Sequence, residues 1–132
     1  MFARARHLAR RILGLQVSPK DCFLSYIYQR HTQRRLEHLA TLGLPIHGSN
    51  VLEIGAGIGD HTSFFLDRGC SVTTTEARPE NLKVLRERFP QLEVLALDAD
   101  QPETTKLRRE YEIVYCYGLL YHLKKPAEAI EF

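Results

Sequence analysis

The ten residues Val51-Leu52-Glu53-Ile54-Gly55-Ala56-Gly57-Ile58-Gly59-Asp60 constrain the fold of this chain more than any other stretch. Val51, Leu52 and Ile54 make a nearly unbroken apolar run, as expected of a strand covered on both faces of a parallel sheet. Three alternating glycines follow, which permit positive φ and strip side chains from the turn, so that backbone N–H groups can approach a ligand. A helix beginning near Asp60 is predicted to aim the positive end of its dipole at the same place, suiting a carboxylate or a phosphate. Open parallel sheets bind ligands at this carboxyl edge, where strand order reverses. The spacing Gly55-x-Gly57-x-Gly59, with Glu53 inside the strand, departs from the G-x-G-x-x-G of dinucleotide-binding turns.

At 132 residues the chain is long enough for one domain with a modest core. It is 44% hydrophobic and 26% charged, and holds no apolar run able to span a bilayer. The net charge of +2 is unevenly spread: residues 1–20 contain Arg4, Arg6, Arg10, Arg11 and Lys20 and no acid, leaving a mildly acidic remainder. Nothing in that remainder suggests a groove for DNA or RNA. Cys22, Cys70 and Cys116 are odd in number, far apart and without a C-x-x-C pair, which argues for reduced thiols and against a disulfide framework or a zinc site. With no secretory apolar segment, the expected location is the cytoplasm.

The order of patterns is that of an α/β domain behind a helical segment. Met1 to Leu15, rich in Arg and Leu, reads as an amphipathic helix docked on the body. An organelle transit peptide, or an element for an acidic partner such as RNA or an anionic membrane surface, are the other readings. From Asp21 to about Leu42, the positions Leu24, Ile27, Tyr28, His31, Arg35, Leu39 and Leu42 recur at helical spacing, and Gly43 and Pro45 end the run. Residues 1–47 are thus expected as a helical cap and 48–132 as a Rossmann-like unit. Within the latter, His61 to Arg68 reads as a short helix and Cys70 to Thr75 as a β-branched second strand ending at Glu76. Pro79 to Phe89 reads as a helix, Leu92 to Leu97 as strand three, and Glu112 to Tyr117 as strand four. Alternation of strands and helices predicts a doubly wound parallel sheet.

Acid-x-Gly-x-Gly-x-Gly after an apolar strand, with an acid closing strand two, Asp98-Ala99-Asp100 after strand three, and Gly118-Leu119-Leu120-Tyr121-His122-Leu123 after strand four, resembles class I S-adenosylmethionine-dependent methyltransferases. The matched places span residues 51 to 123. The resemblance implies S-adenosyl-L-methionine as cofactor. Glu53 would lie near its ammonium, with Gly55, Ala56, Gly57 and Gly59 around its carboxylate. Glu76, with Ala77 beside it, would take the ribose hydroxyls. Asp98 and Ala99 would meet the adenine, and Tyr117 and Gly118 the methionine part. Tyr121 and His122 would face the acceptor, His122 as candidate general base because histidine titrates near neutral pH. No metal is implied. The acceptor, a small molecule or an RNA, is not specified by these motifs.

The family's sheet has seven strands, of which this sequence supplies the half ordered 3-2-1-4; the chain therefore reads as truncated. Strand four is expected to leave an exposed edge, open to self-association or to a partner chain. Two other functions fit the patterns less well. An NAD-dependent oxidoreductase is permitted by Glu76 but disfavoured by the glycine spacing and Asp98. A non-catalytic interaction module would keep the fold and use the open edge.

Overall fold

A computed structural model describes residues 19–107 and 110–131. The expected N-terminal helix of Met1 to Leu15 lies outside the described residues. The chain divides into two compact units, Met1–Leu44 and Pro45–Phe132.

In the first unit, α1 (Pro19–Phe23) and α2 (Tyr26–Thr41) replace the single helix expected from Asp21 to Leu42. Ser25 makes the break. Its N–H donates to Cys22 O at 3.0 Å, closing α1, and its hydroxyl accepts from Tyr28 N at 3.3 Å, capping α2. The helical spacing continues across the break, so periodicity alone could not show it. Of the positions at helical spacing, Tyr28, Arg35 and Leu39 are half-buried, whereas Leu24, Ile27, His31 and Leu42 are exposed. The buried residue of α2 is Thr32. Gly43, at φ +63°, ends the helix as the sequence suggested.

The second unit is built on four parallel strands: β1 (Asn50–Ile54), β2 (Ser71–Glu76), β3 (Glu93–Ala96) and β4 (Ile113–Cys116), in the order β3-β2-β1-β4. This is the doubly wound order expected. The register sets Glu53 beside Thr74 on one side and beside Tyr115 on the other, with Thr75 beside Ile54 and Leu95. The helices α3 (Thr62–Leu66) and α4 (Pro79–Arg88) are the crossovers β1-to-β2 and β2-to-β3, and a short α5 (Pro126–Glu131) follows β4. Right-handed crossovers put α3 and α4 on one face, where Phe65 meets Tyr115 at 4.9 Å between ring centroids. Side chains alternate along a strand, so Leu52, Ile54 and Cys116 point to the other face. There they pack with Ala99, Leu107, Tyr111, Leu119 and Leu123.

After its first residue β1 is buried throughout, as is β2, which explains their apolar and β-branched runs. The edge strand β4 differs: Val114 is 60% exposed. At the entry to the sheet, Glu112 N donates to Asn50 O, and the Glu112 carboxylate accepts from Asn50 N at 2.8 Å, fixing the start of β4 against β1.

Candidate functional site

Parallel strands bring all their carboxyl ends to one edge, so the residues that follow β1, β2, β3 and β4 line a common rim. The glycine turn after β1 adopts the left-handed conformation its sequence requires, with φ of +70°, +61° and +82° at Gly55, Gly57 and Gly59. Space matters as much as torsion. A Cβ on Gly59 would lie 2.7 Å from Leu85 Cδ1 and closer still to the Phe89 ring, and one on Gly55 would lie 2.9 Å from Leu119 Cδ2. The first and third glycines therefore let α4 and the segment after β4 close on the turn.

The turn's own amides are largely engaged. Ala56 N donates to Thr75 O, Gly59 N to Ala56 O, and Gly57 N to Glu76 Oε2 at 2.8 Å. Glu76 also accepts from Ala77 N at 3.0 Å and Arg78 N at 2.9 Å, both on Oε1. Its buried carboxylate thus clamps the end of β2 to the turn after β1 and keeps about one of its roughly four lone-pair directions unused. The sequence suggested amides presented to a ligand anion, but in the structure three of them bind the protein.

The helix after the turn begins at Thr62 rather than Asp60 and has only five residues. Arg88, near the end of α4, is the reason: its guanidinium donates to Ile58 O and, at 2.8 Å, to Asp60 Oδ1. That grip holds the residues that would otherwise start the helix. So short a helix carries little dipole, and the expected helix-end attraction for an anion is correspondingly weak.

Glu53 is 2% exposed, and Thr62 Oγ1 donates to its Oε2 at 2.6 Å. Burial pushes its carboxyl up to about 7, opposed by the Thr62 hydrogen bond and assisted by the negative charge of Asp60. Among the described residues Thr62 is its one hydrogen-bond donor, a thin set of partners for a buried carboxylate. On the opposite face of the sheet, beside Ile54, the buried hydroxyl of Thr75 has no hydrogen-bond partner.

On the β3 side, Leu97 N donates to Glu76 O at 3.1 Å, so the chain leaving β3 is hydrogen-bonded to the tip of β2. Asp98 follows, exposed, with Oδ1 accepting from Asp100 N at 2.9 Å, and Ala99 turns inward. Asp100 is occupied structurally: its Oδ1 accepts from Lys124 N at 2.7 Å and ties the β3 loop to the segment after β4.

On the β4 side, Tyr117 is half-exposed and Gly118 takes φ +72°. Tyr121 and His122 lie on a single 3-10 turn (Leu120–His122), both exposed, their rings 4.2 Å apart. The structure adds a pair that no local signal marked: Tyr115 Oη lies 2.8 Å from His61 Nδ1, with the Tyr117 ring 5.5 Å from the imidazole. His61 and Tyr115 are 54 residues apart, and only the β1–β4 register brings them together. Among the described residues no cluster of His, Cys, Asp and Glu could hold a metal ion, and no helix is long and apolar enough to cross a membrane.

The residues fit a ligand bearing both an ammonium and hydroxyl groups. A buried carboxylate with one donor, Glu53, and a strand-tip carboxylate with a lone pair to spare, Glu76, lie at the ends of adjacent strands β1 and β2.

The sequence model of a family described as "Methyltransferase domain" matches residues 26–132. The comparison with curated protein sequences finds no match. Among solved structures, the N-terminal domain of EvdMO1 with SAH bound superposes with a TM-score of 0.61 at 24% identity, over 89% of this chain and 49% of that one. The magnesium protoporphyrin IX methyltransferase of Synechocystis PCC 6803 with bound SAM gives 0.60 at 21% identity, over 91% and 58%. The glycopeptide N-methyltransferase MtfA complexed with sinefungin gives 0.56 at 24% identity, over 72% and 40%. The chain therefore spans about half the length of the structures it resembles, and at these identities the likeness is one of fold.

Proposed function

The chain belongs to the methyltransferase-domain family, and from that premise we propose that it is an S-adenosylmethionine-dependent methyltransferase or the cofactor-binding half of one. The observation that carries this reading is the Glu76–Gly57 clamp, which joins an acid-tipped strand to a side-chain-free turn on the rim that also bears Asp98. When bound, the cofactor's sulfonium supplies an activated methyl group for in-line displacement by a nucleophile on the acceptor.

Each residue then has a task. Glu53 pairs with the ammonium, and Gly55, Ala56, Gly57 and Gly59 give the floor on which the amino-acid part rests. Glu76, beside Ala77, accepts from the ribose. Asp98 accepts from the exocyclic amine of the adenine, and Ala99 presents its N–H to the ring. Tyr117 and Gly118 border the methionine part. His122 and Tyr121, exposed beyond β4, are the acceptor-side pair, with His122 as the group that takes a proton when the nucleophile carries one. Alignment of donor and acceptor supplies most of the remaining catalysis.

S-adenosylhomocysteine should raise the melting temperature of the chain, and NAD should leave it unchanged. A rise with NAD alone would move the assignment to the oxidoreductases, and no rise with either ligand would defeat it.

A further inference from the structure

The segment that opens α3 is tied to two strands at once. His61 is the N-cap residue of that helix, its carbonyl accepting from Phe64 N at 3.0 Å, and Thr62 is the first helical residue. Thr62 reaches Glu53 on β1, while His61 Nδ1 lies 2.8 Å from Tyr115 Oη on β4. Glu53 and Tyr115 are register partners, so two consecutive residues hold two neighbouring positions on one face of the sheet.

A chain of rings runs outward from there. Phe65, which is buried, meets Tyr115 edge to face at 4.9 Å and anchors that ring in the core. Tyr115 is half-buried, and two residues on, Tyr117 is 46% exposed. The Tyr117 ring lies nearly parallel to that of Tyr115, 6.0 Å away at 19°, and stands edge to face with the His61 imidazole at 5.5 Å. Two rings from two different elements thus set the plane of the third. An imidazole turns broadly about its terminal torsion, and the bond to Tyr115 Oη restrains it in one orientation.

We propose that His61 and Tyr115 are positioning residues of the cofactor site: their hydrogen bond fixes the imidazole that holds the Tyr117 ring along the methionine part of the ligand. The inference rests on the reading that Tyr117 borders that part, and adds two residues that act through it. An exposed tyrosine at a strand end has rotamer freedom that ligand binding would have to remove. Holding the ring in place before the ligand arrives lowers that cost, so the bond matters to affinity only while the Tyr117 ring is present.

The test is a double-substitution cycle on the full chain, read by calorimetric titration of S-adenosylhomocysteine. Tyr115→Phe removes the hydroxyl but keeps the ring packed on Phe65, so the variant should fold. It should weaken binding roughly two- to tenfold, the ordering cost of one side chain. Tyr117→Leu should weaken binding by a similar factor, roughly two- to tenfold, through the lost ring contact. Added to Tyr117→Leu, Tyr115→Phe should change affinity by less than about 1.5-fold, because the ring it positions is gone. His61→Phe, which keeps an aromatic ring and loses the hydrogen bond, should repeat the pattern of Tyr115→Phe. Equal losses from Tyr115→Phe in both backgrounds overturn the proposal, since they mark a general loosening of the fold. Full affinity in Tyr115→Phe, or in Tyr117→Leu, overturns it as well, and leaves the cofactor reading standing. A parent without affinity for S-adenosylhomocysteine defeats that reading, and the positioning role falls with it.

Discussion

Replacing Glu53 by Gln should separate what this side chain does for function from what it costs the fold. Its carboxyl titrates at about 7 in the native chain and near 4.5 when unfolded, and it is buried. The native state therefore retains a proton that the unfolded chain has released between those two values. The stability associated with the protonated acid is complete below pH 4.5 and is lost as pH rises through 7. At 1.36 kcal/mol per pH unit the full loss is about 3 kcal/mol, of which about 2–3 kcal/mol falls between pH 5 and pH 8. Gln keeps an acceptor for the Thr62 hydroxyl but does not titrate. Its amide nitrogen adds a burial cost of roughly 1–3 kcal/mol that is independent of pH. The quantity to measure is therefore a difference: urea unfolding of parent and Glu53→Gln at pH 5 and at pH 8. The variant should gain about 2–3 kcal/mol on the parent over that interval, a relative midpoint shift on the order of 1 M urea. Calorimetry with S-adenosylhomocysteine should show the reverse side. Pairing with the ligand's ammonium re-ionises Glu53, so binding to the parent near pH 6 should release a proton, visible as dependence on buffer ionisation enthalpy. The variant should bind several-fold more weakly and release none. Parallel pH dependence of stability in the two proteins would refute the burial argument, and equal proton release would refute the ammonium pairing.

Four further outcomes follow from the same geometry. Glu76→Ala removes the acceptor of three backbone N–H groups, so it should lower both S-adenosylhomocysteine affinity by calorimetry and the unfolding midpoint, the latter by about 1–3 kcal/mol. Asp98→Asn and Asp100→Ala should split affinity from stability. The first, at an exposed carboxylate with one local bond, should weaken ligand binding several-fold with little change in melting; the second, which loses the tie to Lys124 N, should destabilise by about 1 kcal/mol. Gly59→Ala places a methyl group against Leu85 and Phe89 at φ +82° and should cost about 2–4 kcal/mol in urea unfolding; a loss under 1 kcal/mol would mean that α4 yields easily. Val114→Lys, on the half-covered edge strand, should reduce concentration-dependent association in sedimentation without lowering the melting temperature.

The sheet was legible because its signals are local and redundant. Val51 to Ile54 and Ser71 to Thr75 are apolar or β-branched runs of strand length, Pro79 marks the start of a helix, and three alternating glycines admit few conformations. Their order then fixes which strand tips are neighbours, so the nearness of Glu76 to the turn needed no side-chain information. What the sequence concealed depends on single contacts between distant residues. Ser25 splits a helix whose spacing runs on unbroken, because one side-chain cap and one turn outweigh a weak periodic preference. Arg88 reaches back 30 and 28 residues to hold Ile58 and Asp60 out of a helix that propensity would have begun earlier.

Glu53 is the sharpest case. Its position in the strand announced an acid at the rim, but its charge state is set by everything folded over it, from Thr62 to the neighbouring strands. A carboxylate left with one donor in a buried setting lowers the stability of the ligand-free protein at and above neutral pH. A cationic group arriving beside it would relieve that penalty, so part of the stability forgone by the empty fold returns as affinity. The arrangement thus ties ligand selectivity to charge: an analogue lacking the ammonium should lose more affinity at pH 8 than at pH 6, because only the ionised acid gains from the pairing. Calorimetric titration of S-adenosylhomocysteine and its deaminated analogue at the two values measures that difference, and an equal loss at both would show that Glu53 is structural.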